Sequence, residues 1–418
     1  MSYTENWMSN LGDHRRLNDI IMPGSHDAGM SIEAMAHYPD SYRRYKAGRT
    51  QNINVEEQCN AGSRFFDIRM GDVKIGDSGK KESRARHQPG FFGFDSITAF
   101  GEKESEIFNG VRKFLDRNKS EIVLLRISKS DTSVLKELQE DVKKMLGHTL
   151  YMPQKTCENL LTISIGQLRG KAIVLLDDKG DTAGYIDQKN GLNSFINVSK
   201  NTKKIAHATG PNMNGLTVCG NYSNAKTFQK MIGNLGDVAS GVKKKNGQVG
   251  YWGKHATDDC GAHGAPHLFM LYWTFTSTDI NNDVSESTKR ENEGLMSDAF
   301  LKKQVSEPTS PQSKSIKGIH ERIKGVHARH HQIDPKVNPG GDIYSGDWAA
   351  ELMGPDGYYG MRKLIIDQRL NSLTAKSRCM PNVVMYDFVN SKTSEDIIRL
   401  NHTDILNEIK YNDEWWEF

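Results

Sequence analysis

Short apolar runs alternate along this chain with longer stretches whose apolar residues recur every three or four positions. The short runs have the length of buried strands, whereas the second pattern, at residues 107–115 and 134–146, is typical of one face of an α-helix. The alternation favours a parallel sheet with crossover helices, and seven or eight strands suit a closed β/α barrel of the TIM type. The predicted strands are 17–22, 64–70, 121–127, 171–176, 214–219, 267–276 and 382–388.

Two segments interrupt this rhythm. Residues 236–262 are rich in Gly and Lys, and residues 281–342 are polar and contain several prolines. Both compositions are typical of loops, so we interpret them as insertions. An α/β barrel often exceeds the usual length of one domain. We therefore predict a single α/β barrel domain over residues 1–418 that carries these two insertions.

The composition excludes several classes of protein. The 55 basic and 52 acidic residues give a formal charge of +3, which is too balanced to predict nucleic-acid binding, so any membrane affinity must be local. The five cysteines are scattered without metal-ligand spacing. The first residues lack the apolar segment of a signal peptide. We therefore expect a cytoplasmic protein, or one exported by a route that needs no signal peptide.

Candidate chemistry is concentrated near the ends of the first strands. The first strand runs into a glycine-bracketed turn that carries His26 and Asp27. Asp67 and Arg69 lie two positions apart, which places both on the same side of a strand. Because the carboxyl ends of barrel strands converge on one mouth, these groups are predicted to meet there. Two residues from further along the chain, His87 and Asp387, are expected to join them.

The motifs that carry this chemistry resemble a known family. They are, in order, PGSHDAG at Pro23–Gly29, NAGSRFFDIRM at Asn60–Met70, a histidine at position 87 and SEIVLL at Ser120–Leu125. Their order is similar to that of the catalytic X domain of phosphatidylinositol-specific phospholipase C in its small bacterial form. The resemblance implies a barrel that cleaves a phosphodiester lipid by intramolecular transfer to a neighbouring hydroxyl, through a cyclic phosphate.

The resemblance also implies a role for each candidate residue. His26 would be the general base on the inositol 2-hydroxyl and would be held by Asp387. His87, with Asp27, would be the general acid toward the diacylglycerol oxygen. Arg69 would face the phosphate, and Asp67 would help to position it. A solvated loop histidine is the alternative interpretation of position 87.

Two further expectations concern the metal and the head group. A calcium site needs several oxygen ligands, whereas here one carboxylate lies beside a cation, so we expect metal-independent catalysis without a cofactor. By resemblance, the candidate head-group contacts are Arg126, Lys129, Asp178 and Tyr222. Gly220 occupies the position where the family has an acidic residue, which predicts weaker selection of the inositol ring.

Three classes of function were weighed. The enzyme would act on a phospholipid at a membrane surface, would associate with that surface transiently, and is expected to be a monomer that binds no nucleic acid. The alternative is a catalytically inactive barrel that serves as a lipid- or glycan-binding toxin module. A pure binder has no need of an acid and base pair, which favours the enzyme. A metal-dependent glycerophosphodiesterase would need more clustered carboxylates than the sequence supplies.

Overall fold

The computed structural model describes nine ranges of the chain, which are 3–31, 50–75, 80–87, 99–153, 158–177, 180–197, 215–220, 268–274 and 382–401. Both predicted insertions, 236–262 and 281–342, lie outside the described residues, as do Asp178 and Tyr222. The prediction of one domain over residues 1–418 therefore stays a prediction.

The described residues form strands and helices that alternate along much of the chain. The strands are β1 Met22–Ser25, β2 Phe65–Ile68, β3 Met70–Ile75, β4 Lys80–His87, β5 Ala99–Lys103, β6 Ile122–Ile127, β7 Lys171–Asp177, β8 Leu192–Asn197, β9 Leu216–Cys219, β10 Leu268–Trp273 and β11 Val383–Tyr386. The α-helices are α1 Val55–Asn60, α2 Glu104–Arg117, α3 Thr132–Leu146, α4 Ile165–Leu168 and α5 Ser391–Arg399.

Eight of these strands form a closed parallel barrel in the order β1-β11-β10-β9-β8-β7-β6-β2. β1 closes the barrel because it pairs with β2 on one side and with β11 on the other. The second pairing joins the first and the last described strands, with Met22 beside Val383 and Ser25 beside Tyr386. The predicted fold class, a closed α/β barrel, is confirmed.

Alternation within the apolar strands produces two cores. In β6, Val123 and Leu125 point outward to a cluster that includes Phe108 of α2 and Leu138 of α3. Leu124 belongs to the second cluster, which fills the barrel and continues into the N-terminal segment. Both predicted helix faces are therefore confirmed. No helix in the described ranges is long and apolar enough to cross a bilayer.

The structure corrects three details of the predicted strands. Leu17–Asp19 is a 3₁₀ turn, and the first strand begins at Met22 and continues to Ser25. β8 was not predicted, because its sequence LNSFIN mixes polar residues into a short strand. The antiparallel sheet β3-β4-β5 was also not predicted, because β4 reads KKESRARH and lacks an apolar alternation. His87 therefore ends an antiparallel strand beside the barrel, not a barrel strand.

Candidate active site

The turn after β1 carries His26 and Asp27 in a conformation that neighbouring groups hold in place. Asp27 has φ +42°, a left-handed conformation that costs a residue with a side chain roughly 1–3 kcal/mol. The Thr50 hydroxyl donates to the Asp27 carbonyl at 2.8 Å, and the Gln51 side-chain amide donates to the His26 carbonyl at 2.9 Å. Strain of this kind is common where a protein must aim functional side chains.

The closure of the barrel brings Asp387 to His26. The His26 Nδ1 atom lies 2.9 Å from Asp387 Oδ1, although the residues are 361 positions apart. Both side chains are only 5% exposed. A carboxylate at Nδ1 favours the tautomer with the proton on that atom. The Nε2 atom of His26 is thereby left as the basic nitrogen, on the side of Asp27.

Asp27 lies at the centre of the site, between two imidazoles and a guanidinium. Its Oδ2 atom is 3.6 Å from His26 Nε2 and 3.7 Å from His87 Nε2. Its Oδ1 atom is 3.0 Å from Arg69 Nε. The Asp27 side chain is fully buried, whereas the His87 side chain is 22% exposed. The predicted candidates His26, Asp27, Arg69, His87 and Asp387 are therefore brought together at one end of the barrel.

These contacts separate the pKa values of the two histidines. Burial by itself lowers the pKa of His26, but the carboxylates of Asp27 and Asp387 offset burial and raise that pKa above its ordinary value. Burial lowers the pKa of His87 to about 4, and the Arg69 cation adds to the effect. For Asp27, the neighbouring Arg69 and the two histidines offset burial and lower the pKa. A proton added to the site therefore goes to His26 before His87.

Asp67 lies at the end of β2 beside β6. The Ser128 hydroxyl donates to Asp67 Oδ1 at 2.8 Å, and the Arg126 Nη1 atom is 3.5 Å from the same oxygen. His26, Asp27 and Asp67 also place ligand atoms within 4.8 Å of one another, a spacing that could hold a metal ion. Arg69 and Arg126 already supply positive charge next to these carboxylates, which opposes the binding of a further cation.

Arg126 is engaged by protein groups on several sides. Its Nε and Nη2 atoms donate to the two carboxylate oxygens of Asp177 at 2.9 and 3.1 Å, and its Nη1 atom donates to the Tyr272 hydroxyl at 3.3 Å. The guanidinium also lies 4.4 Å from the ring centroid of Phe195. The Arg126 side chain is therefore a poor candidate for a direct contact with the lipid head group. The sequence did not predict these contacts of Asp177, Tyr272 and Phe195 with Arg126.

Lys129 is the more open of the two cations predicted to contact a head group. It follows β6 and has φ +46°. The Arg69 cation and burial lower its pKa, while Asp67 and Asp27 act in the opposite direction. Lys129 thus shares the electrostatic field of the histidine cluster. Local sequence could not show this, because the field depends on groups from three separate strand ends.

Comparisons with known proteins find a short match to curated sequences and distant alignments with solved structures. No protein-family model matches the chain. Over 65 residues, or 16% of the chain, the sequence is 42% identical to the 1-phosphatidylinositol phosphodiesterases of Staphylococcus aureus strains Newman and NCTC 8325 / PS 47. This match spans 19% and 18% of the lengths of those proteins, so it covers about a fifth of each. The resemblance to phosphatidylinositol-specific phospholipase C is confirmed over that stretch.

Solved structures of phosphatidylinositol-specific phospholipases C also align with the chain. The phosphatidylinositol-specific phospholipase C of Listeria monocytogenes aligns with 96% of this chain and 99% of its own, at 15% identity and a TM-score of 0.45. A structure of the Staphylococcus aureus enzyme, concerned with its membrane binding, aligns with 94% of this chain and 97% of its own, at 14% identity and a TM-score of 0.44.

Proposed function

We propose that this chain cleaves phosphatidylinositol, or a related lipid, by transfer of the phosphate to a neighbouring hydroxyl of the head group. One observation carries the proposal. Two imidazoles face a single buried carboxylate, Asp27, with Arg69 beside it. A binding module has no use for such an acid and base pair, whereas in-line phosphoryl transfer requires both groups and a cation for the phosphate oxygens. The 65-residue match to the curated relatives supports the same chemistry.

The geometry divides the reaction between the two sides of Asp27. His26 Nε2 takes the proton of the attacking hydroxyl, while Asp387 stabilises the imidazolium that forms. Arg69 faces the non-bridging oxygens of the phosphate, where negative charge is spread in the transition state. His87 donates a proton to the departing diacylglycerol oxygen. Asp27 holds Arg69 and places its negative charge between the two rings, and Asp67 supports the adjoining strand end through Ser128.

Binding of the substrate has to bring the two histidines into the protonation state that the reaction needs. In the free protein the first proton resides on His26, yet His26 must be neutral to act as a base and His87 must be protonated to act as an acid. A bound phosphodiester places negative charge next to Arg69, which offsets the cation that lowers the pKa of His87. Substrate binding therefore shifts the proton toward the ring that needs it.

We propose that catalysis needs no metal ion, because Arg69 supplies the positive charge for the phosphate. Turnover should then survive an excess of a calcium and zinc chelator. Substitution Arg69→Ala should lower turnover by roughly 10²-fold or more, as expected for loss of a charged contact to the transition state. Loss of wild-type turnover on chelation, restored by added calcium, would contradict the proposal.

Head-group selection is proposed to be looser than in a site built fully around inositol. Asp177 pairs with Arg126, which leaves Lys129 as the more open of the two predicted head-group cations. Gly220 has no side chain that could bind a hydroxyl. We expect slow cleavage of phosphatidylglycerol or glycosylated inositol lipids beside phosphatidylinositol. Phosphatidylcholine should not react, since its head group offers no hydroxyl next to the phosphate. Strict selection of phosphatidylinositol in a lipid panel would mean that residues outside the described ranges complete the pocket.

Phosphorus NMR on lipid vesicles tests the reaction directly. The protein with phosphatidylinositol should produce the resonance of a five-membered cyclic phosphate. His26→Ala and His87→Ala should each lower its rate of formation by roughly 10²-fold or more while circular dichroism stays unchanged. The chain would be the alternative, a lipid- or glycan-binding module, if the wild type binds vesicles of this lipid and no product appears.

A further inference from the structure

The loop that follows β6, residues 128–131, is tied to the start of β3 by two hydrogen bonds to the backbone of Met70. The Asp131 N–H donates to the Met70 carbonyl at 3.0 Å, and the Met70 N–H donates to the Ser130 hydroxyl at 2.9 Å. Within this loop Lys129 adopts a left-handed backbone, with φ +46°. Such a conformation persists in a residue with a side chain only where surrounding contacts fix it.

Arg86 supplies such contacts from β4. Its Nη2 atom donates to the Lys129 carbonyl at 2.7 Å, and its Nη1 atom donates to Asp131 Oδ1. Its own backbone N–H donates to the Arg69 carbonyl at 2.8 Å. One residue thus connects the backbone of Arg69, the loop of Lys129 and the strand that ends at His87. We call the contact of Arg86 with Asp131 and the Lys129 carbonyl the loop clamp.

Gly71 provides the space for the loop clamp. A Cβ atom at this position would lie 2.6 Å from Arg86 Cδ and 3.0 Å from Asp131 Oδ2. The same Asp131 oxygen accepts a hydrogen bond from the Asp72 N–H at 3.1 Å. Both carboxylate oxygens of Asp131 are therefore engaged, and any side chain at position 71 would displace the guanidinium.

The position of His87 depends on its backbone. Its contact with Asp27, at 3.7 Å, is longer than a hydrogen bond and does not fix the ring by itself. The register of β4 against β5 is irregular between Arg84 and Arg86, and an irregularity of this kind re-aims the side chains beside it. Adjacent residues of a strand point to opposite faces, so Arg86 faces the loop while His87 faces Asp27.

We propose that Arg86 is a positioning residue for the acid side of the reaction, because the loop clamp fixes the end of β4 and thereby aims His87 at the departing oxygen. The inference rests on the phosphodiester cleavage proposed above. The guanidinium is paired with Asp131 and contacts no reacting group, so its contribution is geometric. The loop clamp has two acceptors, Asp131 and the Lys129 carbonyl, and the planar guanidinium donates to both at once. A lysine, which is a point charge, cannot replace it.

Two substrates with different leaving groups distinguish a loss of acid positioning from a general loss of active-site structure. Phosphatidylinositol expels a basic alkoxide that needs a proton, whereas an inositol phosphodiester of 4-nitrophenol expels a stable anion that needs none. Arg86→Ala should lower kcat on phosphatidylinositol at least ~10-fold, since a misplacement of about 1 Å is costly for an acid. On the nitrophenyl substrate the change should stay below about 3-fold. Arg86→Lys should behave like Arg86→Ala.

Two other variants reach the loop clamp without removing Arg86. Gly71→Ala and Asp131→Asn should reproduce the same selective loss on the lipid. Lys81→Ala is the matched control, because Lys81 lies on β4 like Arg86 and forms an exposed ion pair with Asp72. This variant should leave both rates unchanged. In a His87→Ala background, Arg86→Ala should have no further effect on either substrate.

The outcomes separate this inference from the proposed function. Equal losses on both substrates, or an additive loss in the His87→Ala background, would overturn the positioning role. Full activity of Arg86→Ala on phosphatidylinositol would also overturn it. Absence of turnover by the wild type on both substrates would instead overturn the proposed function. Circular dichroism and the urea midpoint of each variant show whether the fold is retained.

Discussion

At the scale of single residues, the site joins two histidines into one titrating unit. Burial lowers the pKa of His87 to about 4, whereas the carboxylates raise the pKa of His26 above its ordinary value, so between the two values we expect one proton in the free site, on His26. The protonation state that the proposed reaction needs also has one proton, but on His87, with His26 neutral. kcat/KM should therefore follow a bell whose limbs are the two pKa values of the pair.

Asp387→Asn should narrow the pH profile of kcat/KM on its alkaline side. Asp387 raises the pKa of His26 through its charge and its hydrogen bond, so the amide should move the alkaline limb to lower pH. The maximum should also fall by roughly 10²-fold or more, because the imidazolium loses its partner. The measurement is kcat/KM across pH 4 to 9. A lower maximum with an unmoved limb would mean that Asp387 only orients the ring.

An anion bound at Arg69 should raise the pKa of His87. The phosphate charge offsets the Arg69 cation that contributes to the low value in the free protein. Histidine proton shifts in NMR titrations, with and without inorganic phosphate, measure the effect. The same titration of Arg69→Ala is the control, in which the free protein should already show a raised value. An unchanged His87 titration in the presence of saturating phosphate would refute the proposed shift of the proton.

At the scale of elements, a buried ion pair fastens β2 to β6 at the end of the barrel opposite the histidines. The Arg64 Nε and Nη2 atoms donate to Glu121 Oε2 at 2.9 and 2.7 Å, and both side chains are fully buried. Arg64→Met leaves the Glu121 carboxylate buried without its cation. We expect the free energy of unfolding in urea to fall by about 3–5 kcal/mol.

The exposed pair of Arg117 and Glu56, at 3.0 Å, is the matched comparison for the buried one. Its arginine is half exposed, so water screens the interaction. Arg117→Met should cost no more than about 1 kcal/mol. Similar losses for Arg64→Met and Arg117→Met would show that the buried pair is compensated elsewhere in the fold.

The elements also differ in whether they could be predicted from the sequence. The barrel was predictable because apolar runs such as Ile122–Ile127 are buried on both faces and have the composition of parallel strands. The sheet β3-β4-β5 was not predictable, because charged strands that fold over a neighbouring loop carry no alternation signal. His87 could be identified from its place in the motif order. The surroundings that hold it, Arg86 and Asp131, required coordinates.

At the scale of the whole molecule, two buried carboxyls link stability to pH. Burial raises the pKa of Glu102 to about 8 and that of Glu104 to about 7, and both residues are only 4% exposed. A carboxyl whose pKa is higher in the folded state stabilises the fold at low pH. That contribution is lost as the pH rises through the folded pKa.

The free energy of unfolding should therefore decrease as pH rises from about 5 to 8. Glu102→Gln should reduce this slope, since a neutral amide cannot ionise. His26, whose pKa is also raised, contributes a slope of the same sign that remains in the variant. Urea unfolding at several pH values measures the slope, and Glu140→Gln at an exposed position of α3 is the control. An identical slope in Glu102→Gln would exclude this carboxyl as its source.

The pairing of β1 with β11 has a consequence for the timing of synthesis. His26, the proposed base, follows β1, and its partner Asp387 follows β11, 361 positions further along the chain. A ribosome delivers His26 early and Asp387 only after nearly all of the described chain has been made. Until β11 has been made, β1 lacks one of its two pairing strands and His26 lacks the Asp387 carboxylate. Under the proposed function, turnover should therefore begin only once β11 has been made, and a shorter nascent chain should not cleave lipid.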